Sequence, residues 1–160
     1  MAETGEHLVL GIDPGQKGAL AWYFANVPSR VAVEDMPVVA GQIDGAALAR
    51  RIRMMEPSEA IIEQVASRPG QGVSSVFTFG KGYGTVIGVL QACGVPVHFV
   101  TPAKWKAHFG LSKDKDLSRA KAISLWPSCE GFERKKDDGR AEAALLARYH
   151  AEKTRWRDAA

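Results

Sequence analysis

Four carboxylates in this chain stand where secondary-structure elements begin or end. Asp13 closes the apolar run Leu8-Val9-Leu10-Gly11-Ile12, and Pro14-Gly15 turns the chain directly after it. Glu63 falls near the end of a second such run, Ala60-Ile61-Ile62. Asp138 and Glu142 are four residues apart at the start of a late helical stretch, which puts them on one helix face. Like charges at that spacing repel by a few tenths of a kcal/mol unless a cation lies between them. Singly, each acid has a plain structural use. Asp13 suits a turn, Asp138 suits a helix N-cap and Glu142 suits the positive end of the helix dipole. Jointly they form a hard-oxygen donor set of the kind that holds Mg²⁺ or Mn²⁺. Two such ions about 3.5–4 Å apart activate water and stabilise the leaving oxygen of a phosphodiester. Asp137 competes with Asp138 for this role, and the spacing to Glu142 favours Asp138.

The elements that must position these acids can be read from the apolar pattern. Residues 8–13 form a strand with apolar side chains at nearly every position, as in a strand buried on both faces. The short turn 15–18 leads into a second strand, 19–24, so the two make an antiparallel hairpin. A third strand covers 31–36. Asp44 caps a helix running to about Met55. A fourth strand, 59–65, carries Glu63, and a polar loop, 66–72, follows it. Residues 73–93 read as a helix despite Gly80, Gly82, Gly84 and Gly88, each of which costs up to about 1 kcal/mol against Ala. Packing against the sheet is the expected use of Gly84 and Gly88. A fifth strand covers 95–100, and Thr101-Pro102 starts a helix. Further helices span about 117–126 and 140–153. The order implies a five-stranded mixed sheet, its first three strands antiparallel, flanked by helices: an α/β fold.

Bulk properties bound the function. A chain of 160 residues is expected to be one domain, with the ends, 1–7 and about 154–160, loosely held. The net charge of +3 and sequence pI of about 8.9 are compatible with a polyanionic partner. Cys93 and Cys129 lack metal-type spacing and read as reduced thiols of a cytoplasmic protein. The first residues show no basic and apolar leader pattern, and no apolar run reaches the length of a membrane span.

Gly-Ile-Asp-Pro-Gly at 11–15, Ile-Ile-Glu-Gln-Val at 61–65 and Asp-Gly-Arg-Ala-Glu-Ala at 138–143 resemble the RuvC family of Holliday junction resolvases. The resemblance covers nearly the whole chain and implies a ribonuclease-H-like fold. It also implies a Mg²⁺-dependent homodimeric endonuclease, with two ions per site and Mn²⁺ able to substitute, that nicks four-way DNA junctions symmetrically. Asp13 matches the first-strand acid, Glu63 the fourth-strand acid and Asp138 the first acid of the last helix. Two departures stand out. Bacterial members end in Asp-x-x-Asp, whereas this chain has Asp138-x-x-x-Glu142, as in a divergent phage-like or plastid-like branch. Bacterial members also carry an aromatic that stacks on junction bases soon after Glu-Gln-Val. Ala66 stands there in this chain. Phe77 or Phe79 offers a replacement, although both read better as core residues.

Arg68, Lys81, Lys104, Lys106, Lys113, Lys115, Lys135 and Lys136 lie in loops or near helix starts that flank acids, as phosphate contacts would. A solvated surface is the ordinary use of about half of such residues. Lys113 and Lys115, expected in a polar loop before a helix, are the best candidates. Three other readings compete with a junction resolvase. One is a broader branched-DNA or flap nuclease. Another is a junction-binding module without catalysis. The third is an actin-like nucleotide-binding fold, for which the chain is too short; no nucleotide cofactor is expected.

Overall fold

The computed structural model describes residues 5–67 and 69–158, with side chains as far as Arg155. Arg68, one of the expected phosphate contacts, lies outside the described residues. The chain runs β1 (Leu8–Asp13), β2 (Ala19–Phe24), β3 (Val31–Asp35), β4 (Val38–Val39), β5 (Gln42–Ile43), α1 (Gly45–Met55), β6 (Glu59–Glu63), α2 (Val73–Ala92), β7 (Val97–Val100), α3 (Pro102–His108), α4 (Lys115–Leu125), a 3₁₀ turn (Lys135–Asp137) and α5 (Asp138–Asp158). Five strands form one sheet in the order β3-β2-β1-β6-β7. β1 pairs antiparallel with β2 and β2 with β3, while β1/β6 and β6/β7 are parallel. This is the mixed sheet expected from the sequence.

Strand alternation divides the core into two layers. Leu8, Leu10 and Ile12 of β1, with Ala60 and Ile62 of β6, pack with Leu48, Ile52, Val86 and Leu90 of α1 and α2. Val9 and Ile61 face the other way, with Ala141, Ala143, Ala144 and Ala147 of α5 and with Trp105, Trp126 and Phe132. Asp13 and Glu63 share the parity of Val9 and Ile61, so the α5 layer is the one that receives them. α5 comes very close to β1. A Cβ built on Gly11 would sit 2.0 Å from the carbonyl oxygen of Ala143 and 2.9 Å from Cβ of Ala147. Only glycine opposite a stripe of alanines permits this approach.

Several details differ from expectation. Val38–Val39 and Gln42–Ile43 pair as a small separate hairpin. Its turn places Ala40 and Gly41 at positive φ (50° and 71°). Alanine is an uncommon residue there, so Ala-Gly gives a weak turn signal. Gly84 and Gly88 do not pack against the sheet: a Cβ on Gly80, Gly84 or Gly88 would meet nothing within 4 Å. Of the four helical glycines it is Gly82 that needs its small size, with Ile43 Cδ1 3.1 Å from an added Cβ. Phe77 and Phe79 are exposed, at 69% and 39%, and do not fill the core. α4 begins at Lys115, capped by Asp114, which accepts from Asp116 N–H at 2.9 Å, so Lys115 opens a helix and is not a loop residue. α5 begins at Asp138 and continues past residue 153. There Thr154 Oγ1 donates to the His150 carbonyl and Arg155 to the Ala25 carbonyl.

Candidate active site

β1 and β6 are parallel neighbours in a register that pairs Ile12 with Ile62, so the next residues, Asp13 and Glu63, end the two strands side by side. α5 crosses them on the face to which both side chains point. Carboxylate oxygens of Asp13, Glu63 and Glu142 all lie within 4.8 Å of one another. Gly139, on the first turn of α5, allows the helix end to approach: an added Cβ would stand 3.0 Å from Asp13 Oδ2 and 3.2 Å from the Lys17 carbonyl.

Convergence of three acids is electrostatically unfavourable without a cation. Burial, together with the neighbouring charges of Glu142 and Glu63, holds the Asp13 carboxyl well above its ordinary range. Burial also raises the Glu142 carboxyl; Lys106 offsets this in part, and Glu63 adds to it. Lys106 Nζ lies 3.6 Å from Glu142 Oε1. Lys115 Nζ lies 2.8 Å from Asp138 Oδ2, a contact that raises the lysine above its ordinary value. Glu63 is oriented by Trp105, a fully buried indole whose Nε1–H donates to Glu63 Oε1 at 3.0 Å.

Asp138 thus stands at the rim, on the wall of an open cleft of about 940 Å³ that also exposes Asp13, Phe79, Lys115 and Lys136. Asp137 is engaged elsewhere. Arg134 binds its carboxylate through the backbone N–H at 2.9 Å and through Nη2 at 2.8 Å. Burial pushes the Asp137 carboxyl up, but these bonds outweigh it and hold it below its ordinary value. A second cleft, of about 510 Å³, runs past Glu63, Gln64 and Tyr83, and Phe79 lines both clefts. Lys81, Lys104, Lys113 and Lys135 are exposed and line neither cleft. Trp105 is the site residue that sequence reasoning missed. An indole next to two lysines gives no sign that it reaches a glutamate 42 positions earlier.

The donor chemistry fits a divalent cation. The three converging groups are all carboxylates, hard oxygen donors whose mutual repulsion a dication removes, and one cleft reaches Asp13 while the other reaches Glu63. The fold is ribonuclease-H-like, with an acidic cluster at the carboxyl ends of β1 and β6. The particular resemblance is to RuvC. The structure of Thermus thermophilus RuvC in complex with Holliday junction substrate matches with a TM-score of 0.65 at 18% identity, covering 93% of this chain and 95% of that one. A second T. thermophilus RuvC structure matches with a TM-score of 0.62 at 16% identity, covering 92% and 96%. No family model matches the sequence, and no curated protein matches it significantly.

Proposed function

We propose that the protein is a divalent-metal-dependent endonuclease that resolves four-way DNA junctions. The observation that carries this reading is the meeting of Asp13, Glu63 and Glu142 within 4.8 Å at the end of the central strands. Asp13, Glu63 and Glu142, with Asp138 beside them, are the residues that would hold two Mg²⁺ or Mn²⁺ ions. Bound ions supply an activated water and stabilise the leaving oxygen of the phosphodiester. The chain's own groups prepare that chemistry. Trp105 fixes one oxygen of Glu63. Lys106 and Lys115 offset part of the acids' repulsion and can turn to a phosphate when cations take the carboxylates. Lys115 and Lys136 line the cleft and suit phosphate contacts that set register. Phe79, exposed and lining both clefts, suits stacking on an unpaired base, the task left open by Ala66.

Paired nicks require two sites, hence a homodimer. Support comes from α2, where Gly80, Gly84 and Gly88 recur every four residues on an open face, with exposed Phe77 nearby. A flap or general branched-DNA nuclease is the second reading, favoured by Ala66 in place of an aromatic. The test is cleavage of a labelled synthetic four-way junction in Mg²⁺, beside a flap and linear duplex, by the wild type and Glu63→Gln. Symmetric nicks in the junction alone, lost in Glu63→Gln, are expected. Equal cutting of flaps would replace the resolvase with the broader nuclease, and tight junction binding without cutting would leave a binding module.

A further inference from the structure

The chain contains four histidines, and three of them converge on one carboxylate at the opposite end of the sheet from the acids. Glu59 opens β6. Like Glu63, it points to the α5 face, but it lies four residues earlier on the strand, about 13 Å away. His98 of β7 places Nε2 3.6 Å from Glu59 Oε1, and His150 of α5 pairs its Nε2 with the same oxygen. His7, just before β1, places Nε2 3.5 Å from Glu59 Oε2. The His98 and His150 rings lie 4.4 Å apart, centroid to centroid. Ligand atoms of Glu59, His98 and His150 all lie within 4.8 Å of one another. Sheet and helix are in step here. Eight residues separate Glu142 from His150 along α5, about 12 Å of helix, which matches the span from Glu63 to Glu59.

We propose that Glu59, His98 and His150 form a second metal site, selective for Zn²⁺ or a similar late divalent transition ion, with His7 beside it on the other oxygen of Glu59. The reasons are chemical and geometric. Imidazole donors favour such ions over Mg²⁺, so the two ends of the sheet take different metals. In a tetrahedral site with bonds of about 2.0–2.1 Å, neighbouring ligand atoms stand about 3.3 Å apart, close to the 3.6 Å between His98 Nε2 and Glu59 Oε1. A single carboxylate can neutralise one imidazolium, whereas a dication with one carboxylate accepts both His98 and His150 as neutral imidazoles. His7 and His98 are 40% and 47% exposed at the side chain, so an ion has a route in. The three ligands come from β6, from β7 and from α5. An ion there would tie the carboxyl-terminal half of α5 to two parallel strands, a structural clip that does not depend on the nuclease reading.

The test uses the untagged full chain, stripped with chelator and held in excess Mg²⁺ so that the acidic centre is occupied. Co²⁺ serves as the spectroscopic probe and Zn²⁺ as its competitor. One equivalent of Co²⁺ should give visible d–d bands of a low-coordinate nitrogen/oxygen site, removed by Zn²⁺. His98→Ala, a half-exposed position, should weaken this binding about tenfold or more, whereas Asp13→Asn should leave it intact. Zn²⁺ should raise the melting temperature of the wild type and not that of His98→Ala. In the unaltered chain, Zn²⁺ should shift the imidazole ¹⁵N resonances of His98 and His150 and leave those of His108, which pairs with Glu152 at 2.6 Å. Binding unchanged by His98→Ala, or lost in Asp13→Asn, would overturn the proposal. So would the absence of stoichiometric binding with unshifted imidazoles, which would leave a hydrogen-bonded cluster only.

Discussion

Asp13 has a cost in the folded protein that can be measured. Burial and the charges of Glu142 and Glu63 raise its carboxyl well above the ordinary range, so the folded state binds that proton more tightly than the unfolded chain does. The stability this gives is complete below the ordinary carboxylate range and is lost as pH rises through the raised folded value. Metal-free protein should therefore melt lower at neutral than at mildly acidic pH, apart from its other groups. Asp13→Asn should raise the neutral-pH melting temperature in chelator and flatten this dependence, and Mg²⁺ should stabilise the wild type but not the variant. An unchanged profile for Asp13→Asn would mean that the three acids are not the strained centre described. Trp105 tests positioning at the same scale. Trp105→Phe keeps the ring and removes the donor to Glu63 Oε1, a charge-assisted bond worth about 1.5–3 kcal/mol. The Mg²⁺ concentration for half-maximal activity should rise about tenfold, with saturating activity less affected. Equal loss at all Mg²⁺ concentrations would point to misfolding instead.

The site depends on how closely α5 lies against β1. Gly11 and the alanines at 143 and 147 set that distance, and Gly139 sets it at the helix end beside Asp13. Gly11→Ala should destabilise by about 1–3 kcal/mol or more, because backbone and not a flexible side chain occupies the space its Cβ needs. Denaturant unfolding would measure this. A loss below about 0.5 kcal/mol would show that the helix can shift freely. α1 supplies a comparison of ordinary size. Asp44 caps it by accepting from Ala47 N–H at 3.0 Å, and Asp44→Ala should cost about 1 kcal/mol without changing the site.

For the whole molecule, two properties follow from charge and from the open face of α2. The net charge is only +3, so the DNA binding proposed above would rest on local contacts such as Lys136 in the cleft, and little on an overall field. Lys136→Ala should lower the slope of log affinity against log salt for junction binding by about one. An unchanged slope would remove Lys136 from the DNA path. Gly84→Glu places a charge where a Cβ meets nothing within the protomer. For the dimer and the paired nicks proposed above, it should leave the monomer folded while lowering the sedimentation mass to that of one chain and turning paired nicks into single ones. A dimer that persists in Gly84→Glu would exclude this α2 face.

The apolar pattern marked the five strands of the main sheet, the main helices and the candidate acids, but not the β4–β5 hairpin. Buried parallel strands read as continuous apolar runs, and an acid that ends such a run is conspicuous because it has no apolar explanation. Asp13 and Glu63 were legible for that reason, and Asp138 and Glu142 by their four-residue spacing on one helix face. Only the tertiary structure decided which groups meet. The β1/β6 register set Asp13 beside Glu63, and the approach of α5 brought in Glu142 while leaving Asp138 at the rim with Lys115. Phe79 belonged on paper to the core, and in the fold it lines both clefts. The histidines show the same limit. Positions 7, 59, 98 and 150 have no spacing that signals a site, since three neighbouring strands and a crossing helix create their proximity. Local pattern reports burial and turns, because these depend on nearby residues; the meeting of distant side chains depends on strand order and helix approach, which exist only once the chain has folded.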